Sequence, residues 1–185
     1  MGSIPEGSDE RLFAAYVAGD ASAHEELFRR YQEPLCRHLE RMLGNRAAAE
    51  DVVIETFLRL HRHRRRMRPG AAVRPWIFII ARNLARNRLR AERVQRLLGT
   101  AKVETMAAAP APRGDPALRA RLAAAFAALP ARQREVCSLR LLADFELEDI
   151  AATTGASIGT VKSRLFYGLR RLRTLLREVE CEGSG

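Results

Sequence analysis

The stretch ELEDIAATTGASIGTVKSRLFYGLRRLRTLL, from Glu146 to Leu176, constrains the fold more than any other part of this 185-residue chain. A short helical run from Glu146 to Thr154 meets Gly155, a residue suited to the left-handed position just past a helix end. Ser157 then stands where a side-chain oxygen can cap the next helix. Helix, tight turn and helix make a helix-turn-helix pattern. On the second helix Ile158, Val161, Leu165, Leu169 and Leu172 recur at 3.6-type spacing and form the stripe expected to be buried. Thr160, Ser163, Arg164, Tyr167 and Arg171 share the opposite face. From Lys162 to Arg177 there are six Lys/Arg and no acid. Hydroxyls and an Arg near the N-terminus, with further Arg behind, suit a helix that reads base edges in the major groove and meets phosphates along its length. Ser157, Thr160, Lys162, Ser163, Arg164, Tyr167 and Arg171 are therefore the candidate duplex-DNA residues, with Arg170 and Arg173 flanking them for phosphate.

The rest of the chain is also helical in character. Ala, Leu, Arg and Glu dominate, and there is no alternating apolar run of strand type, so the fold class is all-α. SAHE at Ser22–Glu25 has capping-box spacing and opens a helix expected to reach about Leu43, with a kink at Pro34. Gly44 and Asn45 stop that helix and start the next, which carries AAAEDVVIETFLRLHRHRRR. MRPGAAVRP, Met67 to Pro75, reads as a loop, and Trp76 to about Leu97 as one more helix. TAKVETMAAAPAPRGDP then holds little periodic apolar content and reads as a flexible linker. Helix resumes with Asp115 as cap and Pro116 at the first helical position. The expected organisation is two small helical domains, 8–97 and 115–180, joined by a linker at 98–114.

Charge is laid out unevenly. The chain carries a net +10, yet Met1 to Phe28 has six acids against one Arg, and Arg59 to Arg96 has thirteen Arg against Glu92 alone. Such clustering points to a polyanionic partner. Cys36, Cys137 and Cys181 are odd in number and widely spaced, which argues against a disulfide framework or zinc site, and His61 and His63 point to different sides of a helix. No metal or cofactor is expected. No apolar run has spanning length and no cleavable leader is evident, so a cytoplasmic protein with no membrane association is expected. No set of nucleophile, base and metal ligands indicates an enzyme.

LPARQREVCSLRLLADFELEDIAATTGASIGTVKSRLFYGLRRLR resembles the C-terminal promoter-reading domain of bacterial RNA polymerase sigma factors of the extracytoplasmic-function group, in the sigma-70 family. AEDVVIETFLRL, RPWIFIIARN and the Arg-rich helix after it resemble the N-terminal domain of the same group. The resemblance implies a factor that binds core polymerase and directs promoter recognition, melting and transcription initiation. It implies contacts with the clamp helices and flap of the large subunits, with promoter DNA, and with an anti-sigma factor. It also implies that the helix holding EDVVIETFLRL docks on the clamp. By its own chemistry, that helix has Val53, Phe57 and Leu60 on an inward stripe. Asp51, Ile54, Glu55 and Leu58 lie on a neighbouring face whose mixed acidic and apolar character suits a protein partner. The family usually has Gln at the position of Ile54 and Ser at that of Glu146, a weaker cap.

On the helix from Trp76, Ile77, Ile80 and Leu84 face inward, with Trp76 beside them in the core. Arg82, Arg86, Arg90 and Arg93 recur along another side, with Asn83 and Asn87 adjacent. The resemblance implies that this helix and the preceding loop hold the non-template strand of the melted promoter. Arg74, Arg82, Asn83, Arg86, Asn87 and Arg90 are the candidates, Arg for phosphates and Asn for a base edge. The rival from another class is a free-standing helix-turn-helix regulator whose first domain dimerises. A dimer interface has no use for the Arg-rich segment.

Overall fold

The computed structural model describes residues 8–67, 72–97 and 116–182. Among them are eight α-helices and no strand: α1 (Asp9–Ala18), α2 (Ala21–Leu43), α3 (Arg46–His63), α4 (Val73–Leu97), α5 (Pro116–Ala127), α6 (Ala131–Leu142), α7 (Leu147–Thr154) and α8 (Ile158–Glu182), with a 3₁₀ turn at Arg64–Arg66. The expected linker and the Asp115 cap lie outside the described residues.

Helix α1 was not anticipated. Ser8 caps it by accepting from the Arg11 N–H, and Gly19, at φ 108°, closes it. The cap of α2 differs from the expected box. Asp20, not Ser22, is the N-cap, and its carboxylate accepts both the Ser22 N–H and the Ser22 hydroxyl, a stronger acceptor than a serine oxygen. The helix continues through Pro34. Gly44, at φ 74°, and Asn45, which accepts the Ala48 N–H, end α2 and start α3 as expected. Helix α4 begins at Val73 rather than Trp76, which takes Arg74 and Pro75 out of the expected loop. Proline is tolerated in a first turn because the N–H it lacks there would have no intrahelical partner.

Helices α1–α4 bury Leu27, Leu35, Leu39, Val53, Phe57, Leu60 and Ile77, with Trp76 half-buried edge-on to Phe13. In the second domain Phe126, Leu129, Cys137 and Leu172 form a small core of their own. Separate cores for the two domains hold only in part. Val136, Leu139, Phe145, Ile150 and Val161 join the buried cluster of the first domain, and the Phe78 and Phe145 rings lie 4.6 Å apart. Helices α6 and α7 pack on α2 and α4. A fully buried His38–Ser138 hydrogen bond of 2.7 Å crosses that contact.

Candidate nucleic-acid and polymerase interfaces

The helix-turn-helix is built as its residues dictate. Glu146 is extended at the start of α7, with no side-chain cap bond. Gly155, at φ 68°, returns its N–H to the Ala151 carbonyl, a backbone state that would strain most L-residues. Ser157 Oγ accepts the Thr160 N–H at 3.2 Å and shares a 2.9 Å bond with the Thr160 hydroxyl. The two hydroxyls are thus held together at the N-terminus of α8. Val161 and Leu172 are buried, and Leu165 and Leu169 half-buried, as the stripe requires. Ile158 is the exception at 39% exposed, because it lies in the first turn before α8 reaches the core.

Lys162, Ser163, Tyr167 and Arg171 are exposed and Arg164 is half-buried. Among the described residues no carboxylate pairs with Lys162, Arg164 or Arg171. An unneutralised cationic face next to paired hydroxyls attracts phosphate and offers donors and acceptors to base edges. One residue was missed from the sequence. Phe166, 61% exposed, stands edge-on to Tyr167 with ring centroids 5.3 Å apart. Its place beside the basic face, outside the leucine stripe, was the available signal, and an exposed aromatic there suits apolar contact with a thymine methyl.

On α3, Val53, Phe57 and Leu60 are buried, while Ile54 is 56% and Leu58 47% exposed, so the two faces separate as the spacing predicts. Asp51 is exposed and pairs with Arg88 of α4 at 3.3 Å. Glu55 pairs with Arg59 at 2.7 Å, and that hydrogen bond holds its carboxyl below the ordinary range. A shallow depression lined by Phe28, Gln32, Cys36, Val53 and Ile54 adjoins this face. Together these make a surface of mixed apolar and acidic character.

The candidates for the melted strand divide. Asn83, Arg86, Asn87 and Arg90 are exposed on α4. Arg82 is not: its Nε donates to Glu135 of α6, and its Nη2 donates to the Thr154 carbonyl of α7 at 3.0 Å. Arg86 also reaches Glu135, at 3.7 Å, and the Arg74 guanidinium lies 4.5 Å from the centre of the Phe145 ring. Burial, with Arg82 nearby as a lesser cause, pushes His38 down to about 3, so it is neutral in the contact.

The Cys36 and Cys137 thiols are buried and pushed up to about 11 by desolvation, which leaves them protonated and inert. Among the described residues no group of three or more His, Cys, Asp or Glu is placed to hold a metal ion, and no helix is long and apolar enough to cross a membrane.

Comparison with known proteins agrees with this geometry. The family model for sigma-70 region 2 matches residues 27–94, and that for sigma-70 region 4 matches residues 125–174. The chain is 37% identical over 165 residues to RNA polymerase sigma factor CarQ of Myxococcus xanthus, covering 89% of this chain and 95% of the relative. It is 36% identical over 174 residues to ECF RNA polymerase sigma factor SigL of Mycobacterium tuberculosis, covering 89% and 97%. Among solved structures, the sigma factor RpoE of Bartonella quintana, in complex with the anti-sigma factor NepR, is 30% identical with a TM-score of 0.67, over 77% of this chain and 89% of that one. CnrH, in complex with the cytosolic domain of CnrY, is 24% identical with a TM-score of 0.72 over 92% of this chain and 97% of that one, a likeness of fold.

Proposed function

The chain belongs to the extracytoplasmic-function group of the sigma-70 family of RNA polymerase sigma factors, and from that membership and the geometry we propose which of its surfaces does what. As a sigma factor it binds core polymerase and directs promoter recognition, melting and transcription initiation. The free-standing regulator weighed from the sequence is set aside by this membership. In our reading residues 8–97 form the core-binding and strand-holding domain, 98–114 the connection, and 115–180 the duplex-reading domain.

The observation that carries the assignment is the face of α8. Lys162, Ser163, Tyr167 and Arg171 are exposed there without a carboxylate, behind the capped Ser157–Thr160 pair and beside half-buried Arg164. This face reads the upstream element in the major groove, with Arg164 and the hydroxyls at base edges and Arg171 on phosphate. Ile54 and Leu58, exposed between Asp51 and Glu55, dock on the clamp helices, and the second domain meets the flap. Helix α4 holds the melted strand through Arg74, Arg82, Asn83, Arg86, Asn87 and Arg90.

The family is one of initiation factors, and we read this chain as adding no chemistry of its own, since polymerisation belongs to the core enzyme. It works in the cytoplasm, where the polymerase is. RpoE of Bartonella quintana was solved with an anti-sigma factor, and an anti-sigma factor is proposed as a partner here also. Run-off transcription with core polymerase on genomic promoter fragments tests the reading. Defined transcripts that require this chain are expected. Tight, specific operator binding by the isolated protein as a dimer, with no transcripts, would refute it.

A further inference from the structure

The 3₁₀ turn that follows α3 consists of three consecutive arginines, Arg64, Arg65 and Arg66. Arg65 and Arg66 are exposed, and among the described residues no carboxylate pairs with any of the three. Adjacent unneutralised charges repel one another, so an ordered turn of this kind needs an anchor.

Tyr16 of α1 is that anchor. The residue is 5% exposed, yet its hydroxyl shares a 2.6 Å hydrogen bond with Nδ1 of His61, an exposed residue in the last turn of α3. The Arg64 guanidinium lies 5.7 Å from the centre of the Tyr16 ring, within cation–π reach, and Arg64 Nη1 donates to the His61 carbonyl at 2.7 Å. His24 of α2 packs on the same ring, with centroids 4.7 Å apart. Helix α1 is itself pinned to α2, where Arg30 donates to Asp9 at 3.1 Å and the Tyr31 hydroxyl donates to the same carboxylate. Two further side chains of α1 reach the next helix. Glu10 accepts the Val73 N–H at 3.5 Å, one of the orphan donors at the start of α4, and Phe13 stands edge-on to Trp76 with centroids 5.6 Å apart. Helix α1 thus ties the basic turn after α3 to the start of α4.

We propose that Arg64–Arg66 is a further phosphate site for the melted strand, and that Tyr16 is the positioning residue that holds this turn in place relative to α4. Arg65 and Arg66 meet backbone phosphates, whereas Tyr16, buried behind them, touches no nucleotide. The inference rests on the reading above that α4 holds the strand.

Fluorescence anisotropy of the full chain with a fluorescein-labelled oligo(dT) strand of about 20 nucleotides, between about 50 and 200 mM salt, tests it. The slope of log affinity against log salt counts phosphate contacts, at about 0.7 per contact for a single strand. A merely structural residue does not move that slope. Combined Arg65→Ala and Arg66→Ala should flatten it by about 1.4. Tyr16→Phe keeps the ring and removes only the hydroxyl, and His61→Leu removes the partner. Each should flatten the slope by about 0.7 or more, while His61→Asn, which keeps a polar atom near the place of Nδ1, should restore it. Tyr16→Phe should leave the slope of the double Arg variant unchanged.

Arg86→Ala with Arg90→Ala on α4 is the control for the strand reading. If that pair flattens the slope and the Arg65, Arg66 pair does not, the turn is no phosphate site and the proposal is overturned. If neither pair does, the strand reading falls with it. An unchanged slope for Tyr16→Phe and His61→Leu, beside a flattened one for the Arg65, Arg66 pair, refutes the positioning role. Should Tyr16→Phe lose its helices by circular dichroism, His61→Leu and His61→Asn decide the matter, because His61 is exposed.

Discussion

Gly168 is buried on α8 directly against Cys137 of α6, and a Cβ placed there would lie 2.5 Å from the Cys137 sulfur and 3.4 Å from Gln133 Cβ. Ordinary contact needs about 3.5–4.0 Å, so Gly168→Ala forces α8 and α6 apart by about 1 Å or drives the sulfur off its rotamer. Cys137 has no exposed surface into which to retreat. Overpacking of this kind costs about 1–3 kcal/mol, while replacing Gly by Ala within a helix returns about 1 kcal/mol. The rigid surroundings favour the upper part of that range, so a net loss of about 2 kcal/mol is expected.

The cause is isolated by removing the sulfur. In a Cys137→Ala background the new methyl occupies the space the sulfur leaves. There Gly168→Ala should be neutral or stabilising by up to about 1 kcal/mol. Urea unfolding of the four members of the cycle, followed by circular dichroism, should therefore give a coupling of about 2–3 kcal/mol. The single variant should also lose discrimination for the upstream element, because a displaced α8 moves Arg164, and Cys137→Ala should restore it. If Gly168→Ala costs the same in both backgrounds, within about 0.5 kcal/mol, the close approach does not limit the packing and the reasoning fails.

Arg164→Ala should cost about 1–3 kcal/mol on the preferred upstream element and relax base preference, whereas Arg173→Ala should weaken matched and scrambled duplexes alike, as measured by polymerase-bound footprinting across both sequences. Reversing both charges at Asp51 and Glu55, or introducing Ile54→Asp, should weaken core binding by several kcal/mol with the melting temperature nearly unchanged, while Ile54→Gln is tolerated; lost core binding with collapsed melting would place this face inside the bundle. Acid should loosen the domain contact. The folded-state value of His38 is depressed to about 3 against about 6.5 unfolded, so the unfolded chain binds more protons between those limits and stability falls as pH drops through the window. Scattering should show expansion of the parent chain below about pH 6, and His38→Phe should flatten that response.

Much of this molecule was legible because its signals are local. The left-handed turn at Gly155, the Ser157 cap, the Gly44–Asn45 boundary and the outward Ile54 and Leu58 follow from residue type and helical period, and all stand in the structure. The start of α2 was misplaced because Asp20 and Ser22 both have capping chemistry, and only the backbone shows which oxygen accepts an orphan N–H. The start of α4 was placed too late because Pro75 was read as a breaker, although a first turn tolerates it. Contacts between distant elements leave no such trace. Arg82 repeats on the same face as Arg86 and Arg90, and nothing in its own helix marks it as the one that meets Glu135, 53 residues away. Nothing in the residues around Phe78 marks Phe145, in the other domain, as its partner.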